Sequence, residues 1–213
     1  MFKTAFASAA LAVAAYGSAA WLTHDFQVWT AEGARRLEVA LVPVATPAVQ
    51  AQASTGLPLP LRQLLADGKT VTIVDFVYTR CQTVCLTLGS TYQQMQASLQ
   101  SARAPGAAPG RVQLMSISFD RERDDQKALA DYASRLQADA AIWRLVRVPE
   151  PGELARLLVD FQVVVVASGQ GDFEHNAALL VIDTQGRLVR IFDYTEHPLA
   201  LDYARYLAAA GSP

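Results

Sequence analysis

The chain's two cysteines fall in one five-residue stretch, Cys81-Gln82-Thr83-Val84-Cys85, directly after the apolar run Val71-Thr72-Ile73-Val74-Asp75-Phe76-Val77-Tyr78. Beyond them Val84, Leu88, Tyr92, Met95 and Leu99 recur at helical spacing. A buried strand that empties into a helix through a CxxxC loop limits the folds open to this chain. A helix turns about 100° per residue, so positions four apart return to nearly the same face and both sulfurs can address one point. Unpaired N–H groups at a helix N-terminus also favour thiolate over thiol. Two thiols so placed can close a disulfide or hold a soft metal. A disulfide that served only as a staple would gain little across so short a loop, because stabilisation grows with the logarithm of loop length.

The 213 residues, 52% of them hydrophobic, can bury a core of one domain with an N-terminal appendage. A net charge of −2 offers no electrostatic footprint for nucleic acid. From Thr4 to Leu22 there is no charged residue, and Lys3 precedes the stretch. That pattern fits a secretory signal peptide with Ser18-Ala19-Ala20 as its cleavage site, or an uncleaved anchor with Trp21 at the interface. The anchor is preferred, because the stretch is long enough to cross a bilayer. Residues 1–23 are therefore expected to be anchor or signal, and 24–56 an extended connector with a short strand over Leu37–Val44. The compact domain is expected from Leu57 onward.

Within 57–213 the elements alternate. Strands are expected over Val71–Thr79, Val112–Phe119, Val163–Ala167, Ala177–Asp183 and Leu188–Asp193, the last two joined as a hairpin through Thr184-Gln185-Gly186-Arg187. Helices are expected over Thr83–Arg103, Asp124–Leu136, Glu153–Phe161 and Pro198–Ala209, with a loop over Ala104–Gly110. This is the order of a thioredoxin-like α/β fold, a central mixed sheet with helices on both faces.

Three separated motifs carry a family resemblance: Asp75 to Cys85, then Ser116-Ile117-Ser118-Phe119-Asp120-Arg121-Glu122-Arg123-Asp124, then Glu174-His175-Asn176. In this order they resemble the SCO/SenC family, over roughly Leu57 to Ala209. The resemblance implies a membrane-anchored, thioredoxin-like copper protein that assists assembly of the dinuclear copper site of cytochrome c oxidase subunit II. It implies Cys81, Cys85 and His175 as copper ligands and Asp120 as a supporting residue behind them. The implied partners are subunit II or another copper-oxidase assembly client, with a thioredoxin-like reductant and the membrane itself. The implied place is a bacterial inner membrane, crossed once, with the domain facing the periplasm, or the periplasm itself if the N-terminal segment is cleaved. The ligand set suits the metal, since soft sulfur holds Cu(I) and an added nitrogen admits Cu(II). A structural zinc site would want a fourth ligand, for which the sequence offers no clear candidate.

Two departures modify the resemblance. The family commonly carries Pro, Asp and Pro where this chain has Gln82, Thr83 and Leu86. It is also usually apolar where Asp75 stands, six residues before Cys81, the spacing at which thioredoxins keep a buried proton acceptor. Asp75 is thus a candidate general base for an alternative function, thiol-disulfide exchange, with Cys81 attacking and Cys85 resolving. Arg80 beside Cys81 would lower the thiol pKa in either case. His175 discriminates between the two, because exchange chemistry does not require it.

Overall fold

The computed structural model describes residues 2–81, 84–102, 111–169 and 172–210, with the side chains of 84–87 left out. The loop expected over Ala104–Gly110 lies outside the described residues. In chain order the elements begin with α1 (Phe2–Leu22), α2 (Ala31–Leu41), β1 (Val44–Ala45), β2 (Gln50–Ala53), β3 (Leu59–Pro60), α3 (Leu61–Leu65), β4 (Val71–Val77) and α4 (Val84–Ser101). They continue with β5 (Val112–Ser118), α5 (Gln126–Arg135), β6 (Trp143–Arg147), α6 (Pro151–Asp160), β7 (Val165–Gly169), β8 (Asp172–His175), β9 (Ala178–Ile182), β10 (Arg187–Asp193) and α7 (His197–Ala210).

Eight strands form one mixed sheet in the order β1-β10-β9-β4-β5-β6-β2-β3. Its centre is parallel, with β4 aligned to β5 from Val71↔Val112 to Val77↔Ser118 and β5 aligned to β6; β9 lies antiparallel on the other side of β4. Every residue of β4 is buried, as a parallel strand covered on both faces requires. Alternation along β4 splits the core into two layers. Val74, Phe76 and Tyr78 meet α3 and α6, while Ile73 and Val77 meet α4, α5 and α7. The helices thus cover both faces, and the expected thioredoxin-like architecture is observed.

The structure departs from expectation at three places. The strand expected over Leu37–Val44 is the end of α2, and only Val44 reaches β1. Thr30 caps that helix by accepting the Gly33 N–H at 2.9 Å, and Arg35 and Val39, four apart, turn inward together. Strand β6 was not foreseen between the helices at 124–136 and 153–161. Arg144 and Arg147 break its apolar run, yet its pairing with β5 buries Trp143, Leu145 and Val146. The strand directly after α6 does not join the main sheet: among the described residues β7 pairs with β8 alone, as a separate ribbon that ends at His175.

The hairpin expected through Thr184-Gln185-Gly186-Arg187 is present. Its turn is tied by buried Asp183, whose carboxylate accepts the Gln185 and Arg187 N–H groups at 2.9 Å each and the Arg187 guanidinium. Gly186 has φ +76°, and a Cβ there would stand 2.7 Å from the Ala66 Cβ. Gly186→Ala should therefore cost about 1–3 kcal/mol in a urea titration, from left-handed strain together with the close approach. A cost below a few tenths of a kcal/mol would mean the turn relaxes freely.

Candidate metal and thiol site

The site lies where the two central parallel strands end. Beyond β4 the chain runs Tyr78-Thr79-Arg80-Cys81, and beyond β5 it runs Phe119-Asp120. Ligand-bearing loops gather at the carboxyl ends of parallel strands because the chain leaves the sheet there. Asp124 joins the two exits. Fully buried, its carboxylate accepts the Thr79 N–H at 2.9 Å, the Thr79 hydroxyl at 2.6 Å and the Ser118 hydroxyl at 2.6 Å. Three such bonds to a buried carboxylate fix the loop that leads into Cys81.

Cys81 is 6% exposed and packs in one cluster with Tyr78, Phe119 and Phe173. The Tyr78 hydroxyl hydrogen-bonds Cys81, and burial together with that bond pushes the phenol up to about 12. Cys85 lies in the first turn of α4, at the end of the helix that faces the loop, but its side chain is outside the described part. Gln82 and Thr83 also lie outside the described residues. Arg80 is solvent-exposed beside Cys81.

His175 comes to this cluster from the separate ribbon. Its ring lies 5.2 Å from that of Phe119, and Phe119 lies 5.4 Å from Tyr78. The next residue, Asn176, clamps the base of the ribbon: its side chain accepts the Val164 N–H at 2.8 Å and donates to the Gln162 carbonyl at 3.1 Å. Both ring nitrogens of His175 are buried with no hydrogen-bond partner among the described residues. Burial also holds the imidazole below its ordinary pKa, and so in the neutral form that a metal requires. Buried polar atoms are nearly always satisfied, so an imidazole with two orphaned nitrogens calls for a ligand. The donor set, two sulfurs and a neutral imidazole, fits copper. Among the described residues no three His, Cys, Asp or Glu side chains converge as a metal site, and the Cys85 side chain is not among those residues.

Asp120 is buried and paired with Arg123, whose guanidinium also lies 5.2 Å over the Phe173 ring. Burial raises the Asp120 pKa and Arg123 opposes the rise. Asp120 therefore braces the aromatic cluster through Arg123. The sequence reading missed Tyr78, Phe119, Phe173 and Asp124 as site residues. Asp124 carried a signal, as the last residue of the second motif, but its partner Thr79 is 45 positions away.

Asp75 sits on the other face of β4, against α4, at 1% exposure. Burial raises its pKa from 3.8 to about 7, and the Ser116 and Tyr92 hydroxyls draw it only part of the way back. Ser116 is itself held by the indole N–H of Trp143 at 2.9 Å.

The folded core and its cysteine loop define a thioredoxin-like domain with a thiol and imidazole site at the carboxyl ends of its parallel strands. The SCO1/SenC family profile matches residues 63–206, and the chain belongs to that family. A SCO1 protein homolog of Bacillus subtilis is 20% identical over 142 residues, covering 62% of this chain and 70% of its own. The structure of ScoI from Bradyrhizobium japonicum with copper bound superposes with TM-score 0.60 at 22% identity, covering 75% of this chain and 99% of that one. BsSco, a Sco family cytochrome c oxidase assembly protein in which a disulfide switch was identified, superposes with TM-score 0.66 at 17% identity, covering 79% and 95%.

The buried Asp75 makes stability depend on pH. Well below pH 3.8 the carboxyl is protonated in both states and carries no penalty. As pH rises from 3.8 towards 7 the unfolded chain releases this proton while the native one retains it, so stability falls through that window and the full cost stands above it. Asp75→Asn should remove that fall and stabilise the protein at neutral pH, by on the order of 4 kcal/mol at most. Urea midpoints for wild type and variant, measured across the window, check this; parallel curves would show that Asp75 is ionised in the native state.

Proposed function

We propose that this protein binds copper as cargo through Cys81, Cys85 and His175 and serves assembly of the copper site of a cytochrome c oxidase. The observation that carries the reading is the half-buried His175, whose two ring nitrogens are buried without a partner among the described residues, packed on the aromatic cluster that holds Cys81. The two thiols would lose their protons on binding. Arg80 and the N–H groups opening α4 favour the thiolates, and Asp120 holds the surrounding aromatic wall through Arg123. Helix α1, 21 residues long with mean hydropathy 1.5 and no buried residue, would keep the domain at a bacterial inner membrane, facing the periplasm. The client is subunit II or a related copper oxidase.

Thiol-disulfide exchange is the second reading, and buried Asp75 with a pKa near neutrality favours it. Cys81 thiolate would attack a client disulfide, forming a mixed disulfide and releasing one client thiol. Cys85 would then attack the Cys81 sulfur, closing the Cys81–Cys85 disulfide and releasing the second client thiol. The client gains two electrons, and a thioredoxin-like reductant returns them to the pair. Asp75, beneath α4, would accept the Cys85 proton.

One copper per chain is expected on anaerobic loading with Cu(I). Cys81→Ala or Cys85→Ala should abolish binding, while His175→Ala should weaken Cu(II) far more than Cu(I), because two thiolates alone still hold the softer ion. Unchanged stoichiometry in Cys85→Ala sinks the ligand set. In cells lacking the protein, Asp75→Asn should restore oxidase assembly and His175→Ala should not; the reverse, with both variants folded, establishes exchange as the function.

A further inference from the structure

Among the described residues the His175 ribbon shares no ladder with the main sheet, and beyond its two-residue link to β9 it is aligned with the cysteine loop by side-chain contact. Tyr78 touches both and also hydrogen-bonds both. Tyr78 follows β4 three positions before Cys81, is 2% exposed, and packs its ring at 5.3 Å from Phe173 of β8. Its hydroxyl donates to the Asp172 carboxylate at 3.4 Å, accepts the Phe173 N–H at 3.5 Å, and hydrogen-bonds Cys81. A phenol has one proton, which goes to Asp172, while its lone pairs accept the Phe173 amide. We infer that the Tyr78 hydroxyl is a positioning latch that sets the separation of Cys81 from His175 by tying the cysteine loop to the ribbon.

The inference rests on the proposed copper reading for its consequence, but the latch itself exists in the metal-free protein. Its bonds to Asp172 and to the Phe173 amide are long and therefore weak. Their value lies in number and place, since they join two segments 94 positions apart that have no backbone pairing to each other. Cu(I) is satisfied by two thiolates, whereas Cu(II) draws on the imidazole as well. A loosened ribbon should therefore be felt mainly in the oxidised state. Phe119 and Phe173 hold the ring by packing that a phenylalanine would keep.

The test compares wild type, Tyr78→Phe and Asp172→Ala as full-length chains in detergent. Hydrogen exchange in the metal-free protein should show the Phe173 amide and its ribbon neighbours opening about five- to tenfold faster in Tyr78→Phe, the loss of roughly one net hydrogen bond. Asp172→Ala, at an exposed position that leaves the rings untouched, should move exchange the same way by less. With copper added, Tyr78→Phe should shift the thiolate-to-Cu(II) absorption band and weaken Cu(II) about tenfold while leaving Cu(I) affinity within about threefold. Unchanged ribbon exchange in both variants overturns the latch whatever copper does. Faster exchange with an unaltered Cu(II) band and affinity overturns its positioning role. Faster exchange in Tyr78→Phe alongside a wild type that binds no copper leaves the latch standing and refutes the copper reading instead.

Discussion

The parallel pairing of β4 with β5 is the constraint on which the rest depends. Seven residues of each strand align without interruption, so both chains leave the sheet at the same level and in the same direction. One exit becomes the cysteine loop and the other the Phe119-Asp120 turn. Asp124 then binds them together by bonds to Thr79 and Ser118, at the level where a ligand can be approached from both sides. A parallel pair has no tight turn of its own, and the crossover between these strands is α4, whose first turn carries Cys85. The strand pairing that builds the core thus also places the thiols.

The site is assembled from parts of unequal rigidity. Cys81 sits on the sheet's own frame, fixed by a buried carboxylate, while His175 arrives on a two-stranded ribbon fixed by rings and by Asn176. Under the copper reading proposed above, that asymmetry would let a soft ion stay on the two thiols when the imidazole withdraws. Asp75 adds a different tension, because burial of its carboxyl in the α4 layer raises its pKa and opposes stability at neutral pH, an effect the Ser116 and Tyr92 hydroxyls offset only in part. Buried titratable groups of that kind gather at functional sites, and this one lies under the helix that carries Cys85.

Much of the fold was legible because its signals are local. Val71 to Val77 is apolar throughout, α4 repeats its apolar positions at helical spacing, and Gly186 marks the turn between β9 and β10. The misread elements are those whose state is set by partners far away in sequence. Leu37 to Leu41 has strand-like composition, but a Thr30 cap and the docking of Arg35 and Val39 make it helix. Strand β6 shows two arginines within five residues and becomes a strand because β5 is there to pair with it. Asp172 to His175 alternates charged and aromatic residues with no apolar run, and pairing with β7 alone makes it extended.

The candidate site divides along the same line. Sequence alone determined which atoms could do chemistry: two thiols at helical spacing after a buried strand, an aspartate where the pattern is usually apolar, and a histidine in a third motif. Those follow from residue type and short-range spacing, which the chain states directly. Only the tertiary structure decided what surrounds them. It set the burial of the His175 ring nitrogens, the Tyr78 hydroxyl between Cys81 and Asp172, the Asp124 tie to Thr79, and the burial that lifts the Asp75 pKa. Each of these joins residues tens of positions apart or depends on water being excluded by layers from both sides of the sheet. No local pattern encodes such contacts, because they are properties of packing.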